Sequence, residues 1–341
     1  MEEKIEENRS SVGDGVKNRN NHPRTGEDDV LNGDSPKLKS QNVSLFREYV
    51  IALRPWSFSA SLTPVLLGAT LSYKVTGYVN LLVLFAVCIT TLSVHAAGNL
   101  VNTYYDFKGG VDNKKSDDKT LVEGVMSPSN VAALGGFCYA VGCAGLLILC
   151  FVSPAKVEHL ALVYFCGLSG SFMYTGGLGL KYIALGDIVI FLTFGPLSVI
   201  FAYLAITGDF ALVSLPYSIP LALNIECILH ANNCRDRETD QKAGIVTLAI
   251  ILGPTLSYLA FCILLFSPYI AFAYVAINYS STFILPTVTI ILAFSIERDF
   301  RSGNLLEIPF KVAKLNLILG ISFVAALFLS HKNNLPFINW F

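Results

Sequence analysis

The sequence predicts an all-α, polytopic membrane protein with nine transmembrane helices behind a polar N-terminal tail. Three observations predict it. Apolar residues make up 53% of the 341 and charged residues only 14%, whereas a soluble domain carries roughly 25% charged residues. Mean hydropathy is +0.56. The uncharged runs recur at about the 20 residues that a helix needs to cross a bilayer. A plain water-soluble globule, a disordered chain and a fibrous repeat are excluded, and a net charge of −1 argues against a nucleic-acid partner.

The elements follow in order. Residues 1–44 hold nine acidic and seven basic side chains and almost no periodic apolar residues. Such a segment cannot bury enough apolar surface to offset its ordering entropy, so it is expected to be a disordered cytosolic tail ahead of a membrane domain over 45–335. No apolar h-region lies near Met1, so the first span is expected to act as the targeting signal itself. Candidate spans lie at 55–73, 79–105, 129–152, 160–180, 183–207 and 210–233. The uncharged run 247–296 is too long for one span and divides at Asn278-Tyr279-Ser280-Ser281, and 312–331 completes the nine. Pro55, Pro64 and several serines make the first span the most interrupted. Lys311 and Lys314 can snorkel from the last span to the interface.

With nine spans, the side shared by the N-terminus and the two long loops carries twelve Lys and Arg, against Lys74, Lys156 and Lys332 opposite. The positive-inside rule places that first side in the cytosol. The eight cysteines lie in or beside apolar runs without CxxC or Cys/His metal spacing. They read as small apolar filler, and no disulfide is expected.

Two polar clusters interrupt the spans, both at cytosolic ends. Polar groups inside a span are costly, so they are functional candidates. His95, Asn99, Asn102 and Asp106 are spaced by four, three and four, which puts them on one face of the second helix. A polar stripe on a greasy helix faces the bundle interior. Gly109-Gly110 then permits a turn that lets Asp112 fold back. On the sixth helix, Asn232, Asp236 and Asp240 follow a spacing of four and four. Asn102-x3-Asp106 and Asn232-x3-Asp236 look alike, which suggests a pseudo-repeat of four helices. Facing carboxylates and amide oxygens suit a hard cation such as Mg²⁺, which leaves room for phosphate oxygens. Lys181 and Arg235 are placed to neutralise remaining phosphate charge. Solvated helix ends with ordinary loop charges explain one such motif better than two.

A third segment, Ser171 to Asp187, lies on the same side. Tyr174 can line an aromatic-substrate pocket, and Lys181 can reach a phosphate. Asp187 either complements a helix N-terminus or takes part in chemistry. His95 and His230 read first as hydrogen-bonded interior residues rather than ligands.

Taken together, Asn102-x3-Asp106-x5-Asp112 and Asn233-x-Arg235-Asp236-x3-Asp240-x3-Gly244-x2-Thr247-Leu248 resemble the two signatures of the UbiA superfamily of intramembrane prenyltransferases. The resemblance extends through Leu53-Arg54-Pro55-Trp56-Ser57-Phe58, Tyr104-Tyr105-Asp106, Lys115-Ser116-Asp117-Asp118, Thr120-Leu121-Val122, Leu180-Lys181-Tyr182 and Phe194-Gly195-Pro196, over about residues 48–331. Thr103 stands where the ubiquinone branch often has a second acid, and Asp112 lies six residues past Asp106 rather than four. Both features resemble the naphthoquinone-prenylating branch.

The resemblance implies a UbiA-like helical bundle around a central cavity, capped from the cytosol by the two Asp motifs. It implies Mg²⁺-dependent transfer of a prenyl group from geranylgeranyl diphosphate to menadione or a related quinone in its reduced form, giving menaquinone-4. It implies residence in endoplasmic reticulum or Golgi membranes, with a mitochondrial pool left open, and contact with membrane lipid and regulatory membrane proteins. Carried over residue by residue, Asp106, Asp112, Asp236 and Asp240 match catalytic metal-binding carboxylates, and Asn102, Lys181, Asn233 and Arg235 match diphosphate-binding positions. Arg54, Tyr174 and Asn232 match the quinone and prenyl pocket. The general base is left open between a pyrophosphate oxygen and a motif carboxylate. Another aromatic prenyltransferase, a transporter and a lipid sensor are the rival readings. A transporter usually places its site near the midplane between inverted repeats, rather than at one membrane face.

Overall fold

The computed structural model describes residues 47–111, 120–210, 212 and 214–337. The expected tail over 1–44 lies outside the described residues, as do Asp112 and the Lys115-Ser116-Asp117-Asp118 segment. Among the described residues every regular element is helical, apart from one isolated parallel bridge between Ile183 and Val246.

A short helix over 47–52 and a 3-10 turn at Pro55–Phe58 lead into α1, Ser59–Thr76. Gly77, at φ 75°, ends α1 in the left-handed conformation that glycine adopts without a Cβ clash. Helix α2, Leu81–Lys108, starts where the Asn80 side chain accepts from the Leu82 and Val83 amides at 3.0 and 3.4 Å. Helix α3, Pro128–Val152, has Ser127 as its cap and proline in its first turn, where a missing N–H costs nothing. Helix α4 is Val157–Thr175, and α5 is Gly186–Thr207. A wide π turn over Thr193–Leu197 interrupts α5 at Pro196, which cannot donate to the helical ladder. Helix α6, Ser214–Lys242, runs 29 residues, roughly 43 Å at 1.5 Å per residue. Helix α7, Leu248–Asn278, breaks at Gly253, where φ is 67° immediately before Pro254. Helix α8 is Ile290–Arg301 and α9 is Ile308–Leu329.

Five of these helices, α2, α3, α5, α7 and α9, are long and apolar enough to cross a membrane. The expected count of nine spans is therefore not reproduced by length and composition. Helices α1, α4 and α6 are more polar: α1 carries several serines and Lys74, α4 carries Glu158 and His159, and α6 carries Glu226, His230 and the Asn232 to Asp240 stripe. The run 247–296 does divide at Tyr279, but its second half is broken. A 3-10 turn at Ser281–Phe283 and a four-residue helix at Ile284–Thr287 precede α8, which has only 12 residues.

One apolar cluster joins α1, α6, α7, α8 and α9 around Phe261, Phe272, Phe283 and Phe323, with Phe261 stacked on Phe300 at 4.1 Å. A second joins α1 to α5 around Val87, Leu149, Leu160 and Leu204. Outward residues stay greasy: Phe151 is 88% and Ile277 83% exposed. That pattern suits a lipid solvent rather than water. All eight cysteines are free.

Close helix approach relies on small residues. A Cβ on Gly68 of α1 would lie 2.5 Å from the Val199 carbonyl oxygen and 2.9 Å from the Ala202 Cβ of α5, whereas one on Gly136 of α3 would meet nothing within 4 Å. Gly68→Ala is expected to destabilise the bundle by about 1–3 kcal/mol through overpacking. Thermal unfolding in detergent checks this: the midpoint falls for Gly68→Ala and holds or rises for Gly136→Ala.

Candidate active site

The last turns of α2 bring His95, Asn99, Asn102 and Asp106 to one wall of a cavity of about 470 Å³. The end of α6 brings Asn232, Asn233, Arg235, Asp236 and Asp240 to the same cavity. The two acid-bearing helix ends therefore share one mouth. Arg54, Tyr174 and Lys181 line it as well, so every expected site residue among those described meets there. Asp112 is the exception, since it lies outside the described residues.

The loop after α4 supplies the cation. Gly177 and Gly179 take left-handed φ values of 52° and 59°, which turns the chain into the 3-10 segment Leu180–Tyr182. That segment is pinned to the loop behind Asp240: the Ala184 amide donates to the Val246 carbonyl at 2.8 Å, and the Val246 amide donates to the Tyr182 carbonyl at 3.1 Å. Lys181 Nζ then donates to Asp106 Oδ2 at 2.6 Å and to Asn102 Oδ1 at 3.2 Å. Tyr182 OH donates to Asp106 Oδ1 at 2.8 Å, and Thr175 Oγ1 donates to Asn102 Oδ1 at 3.1 Å. Asp106, 3% exposed, is thus held from both oxygens. A buried carboxylate requires such pairing.

On α6, Arg235 grips its neighbour Asp236 through Nε and a terminal nitrogen at 2.8 and 2.7 Å. Asp240 is buried and has no side-chain hydrogen bond among the described residues. Burial pushes its carboxyl up to about 6, opposed by the positive charge of Lys181 and Arg235. Asn232 Oδ1 is buried without a hydrogen-bond partner. Arg54 sits at φ 53° and reaches Thr103 Oγ1 at 3.5 Å.

The donor set fits a hard divalent cation. Three carboxylates and an orphaned amide oxygen surround one mouth, and oxygen is the ligand that Mg²⁺ takes. Among the described residues no three Asp, Glu, His or Cys stand close enough to hold an ion by themselves. Amide, water and ligand oxygens must complete the shell, as Mg²⁺ sites on phosphates require.

His95 and His230 are hydrogen-bonded interior residues, as expected. Ser61 and Ser57 contact the two ring nitrogens of His95 at 2.6 and 3.2 Å, and His230 Nε2 lies 2.9 Å from the Ser257 carbonyl. Sequence spacing did not single out Tyr182, Thr175 or Ser57. Their contacts join segments far apart in the chain, and the sequence marks Tyr182 and Ser57 only as members of the Leu180-Lys181-Tyr182 and Leu53 to Phe58 stretches.

A family model described as the UbiA prenyltransferase family matches residues 61–307. UbiA prenyltransferase domain-containing protein 1 of Homo sapiens is 50% identical over 317 residues, covering 92% of this chain and 94% of that protein. The Danio rerio protein of the same name is 54% identical over 290 residues, covering 85% and 86%. Among solved structures, the apo form of a UbiA homolog from Aeropyrum pernix superposes with a TM-score of 0.64 at 18% identity, over 79% of this chain and 97% of that one. A UbiA homolog from Archaeoglobus fulgidus bound to GPP and Mg²⁺ superposes at 0.57 and 19%, over 82% and 99%.

Proposed function

The chain belongs to the UbiA prenyltransferase family, and from that premise we propose that it transfers a geranylgeranyl group from its diphosphate to a reduced menadione-type naphthoquinol, forming menaquinone-4. The carrying observation is the single mouth where Asp106 of α2, Asp236 and Asp240 of α6 and the loop-borne Lys181 surround one cavity. Relatives support the donor class, since the Archaeoglobus fulgidus homolog has been solved with DMAPP or GPP and Mg²⁺.

Asp106, Asp236 and Asp240, with the amide oxygens of Asn102, Asn232 and Asn233, are the residues that would hold Mg²⁺ here. When bound, the ion supplies charge neutralisation for the departing diphosphate. Asp112 belongs to this proposal on its sequence position alone. Lys181 and Arg235 add fixed positive charge where negative charge develops as the C1–O bond breaks. Asp106 and Asn102 hold Lys181 in place for that task. The new C–C bond forms to the electron-rich ring, which then loses its proton. Apolar walls such as Val94, Leu168, Ile190 and Phe194 keep water from the allyl cation. Tyr174 and Arg54 line the same cavity and would face the acceptor ring.

The cavity follows α2 from Asp106 to Thr90, roughly 24 Å at 1.5 Å per residue. That reach favours a long donor. Geranylgeranyl diphosphate is expected to give at least about fivefold higher kcat/KM than farnesyl diphosphate, a difference of about 1 kcal/mol. Equal use of the two, in competition with reduced menadione, would remove the chain-length assignment.

We extend the proposal to setting. The catalytic unit is 45–335, spanning the membrane nine times in the endoplasmic reticulum or Golgi, with the mouth facing the cytosol. The twelve-to-three distribution of Lys and Arg supports the orientation. The deciding experiment incubates purified protein with Mg²⁺, geranylgeranyl diphosphate and reduced menadione, and identifies the product by mass. A product at the mass of menaquinone-4, absent with EDTA, is expected. Its absence under these conditions overturns the acceptor assignment.

A further inference from the structure

Below the diphosphate mouth, the cavity wall presents an unusual polar group. Asn99 lies on α2 three residues inside Asn102 and seven inside Asp106, roughly 10 Å from Asp106 along the helix axis. Its orientation is fixed. Nδ2 donates to the Leu53 carbonyl at 3.0 Å and to Ser57 Oγ at 3.1 Å. A carbonyl can face only the amide nitrogen, so the side chain cannot be flipped. Ser57 Oγ donates to the Arg54 carbonyl at 2.8 Å, which leaves it to accept from both Asn99 and His95 Nε2. The other ring nitrogen of His95 is then the acceptor for the Ser61 hydroxyl at 2.6 Å. Ser61, His95, Ser57 and Asn99 form one chain of hydrogen bonds, and Phe58 and Phe194 meet the His95 ring at 5.4 and 4.7 Å.

This chain locks the amide and leaves one atom over. Asn99 Oδ1 has no hydrogen-bond partner among the described residues, and Asn99 lines the cavity without being fully buried. A lone acceptor matches neither substrate part already placed. A prenyl chain has nothing to donate, and diphosphate oxygens are themselves acceptors. Polar groups facing a greasy cavity are costly unless they meet a partner. The partner must bring a hydrogen-bond donor to this depth, and a quinol hydroxyl is the donor that the aromatic acceptor carries.

We propose that Asn99 Oδ1 binds a ring hydroxyl of the acceptor quinol, with Ser57 and His95 as positioning residues that hold the amide in that orientation. The inference rests on the aromatic-acceptor reading above and adds where the ring docks. Such a site would favour the reduced form, since a quinol hydroxyl donates and a quinone carbonyl cannot. A site built around a hydrogen bond rejects analogues that lack it.

The test compares reduced menadione with its two monomethyl ethers, each of which has lost one hydroxyl donor. Purified wild type is expected to lose at least tenfold in kcat/KM on one of the two ethers. Asn99→Ala should lose about tenfold on the free quinol and little on that ether, so that the discrimination collapses, while KM for the prenyl diphosphate stays within about twofold. Ser57→Ala, which releases the amide, should reduce the same discrimination. Undiminished discrimination in Asn99→Ala, or an equal rise in both KM values, overturns the inference. A merely structural role would produce the second pattern. If the wild type does not prenylate the naphthoquinol at all, the acceptor reading falls and this inference with it. Turnover by wild type with unchanged discrimination in the variant overturns the inference alone.

Discussion

Asp106→Asn is expected to lower prenyl transfer by about 10²–10³-fold while the protein still inserts into the membrane. The carboxylate is 3% exposed and is held by Lys181 on one oxygen and Tyr182 on the other. An amide of the same shape keeps one acceptor oxygen but loses the negative charge. Two consequences compound. The cation site loses one of the carboxylates at its mouth, and Lys181 loses the ion pair that aims it. Asp236→Asn should cost a comparable factor by the first route alone, since its carboxylate is held by Arg235 and does not touch Lys181. Product formation measured by mass across a Mg²⁺ titration checks both. Membrane extraction and size-exclusion behaviour report whether each variant inserts and folds. Turnover within threefold of wild type in either variant would count decisively against the metal-diphosphate scheme.

Lys181→Met should cost about 10²-fold in kcat/KM for the donor, with KM for the acceptor little changed. The ammonium is mostly buried, and among the described residues it donates to Asp106 and Asn102. A buried ion pair is weak evidence for stability, because desolvation offsets most of the attraction. On the proposed reaction, its value at this mouth lies in positive charge held where the diphosphate would leave. Methionine keeps the stem length and removes the charge, so packing along the loop survives. Steady-state kinetics with each substrate varied separately distinguish the outcomes. A loss confined to the acceptor KM would move Lys181 from the diphosphate to the ring.

Much of the site could be read from spacing. His95, Asn99, Asn102 and Asp106 form one stripe on α2, and Asn232, Asp236 and Asp240 form another on α6, because 3.6 residues per turn leaves little choice of face. The glycines before Lys181 allow close packing or a turn, and the chain turns at Gly177 and Gly179. Contacts between distant segments were not legible. Nothing local indicates that Tyr182 shares Asp106 with Lys181, or that the Leu53 carbonyl orients Asn99. Length and composition alone single out five spans among the described residues where the sequence leads to nine. Hydropathy favours a helix that is greasy throughout, which α2 and α5 remain while lining the cavity and α1, α4 and α6 do not. The eighth expected span is not one continuous helix, since it is interrupted at Val288 and Thr289 before α8 begins.

The backbone bridge between the Lys181 loop and the loop behind Asp240 has a consequence for evolution and engineering. Because Val246 exchanges hydrogen bonds with Tyr182 and Ala184, two stretches distant in the chain share one register. Lengthening either by a residue would shift the lysine against the acids it serves. The tolerance for insertion that surface connections ordinarily enjoy should therefore vanish at both places together. Chimeras between related proteins ought to inherit the two stretches as a matched pair.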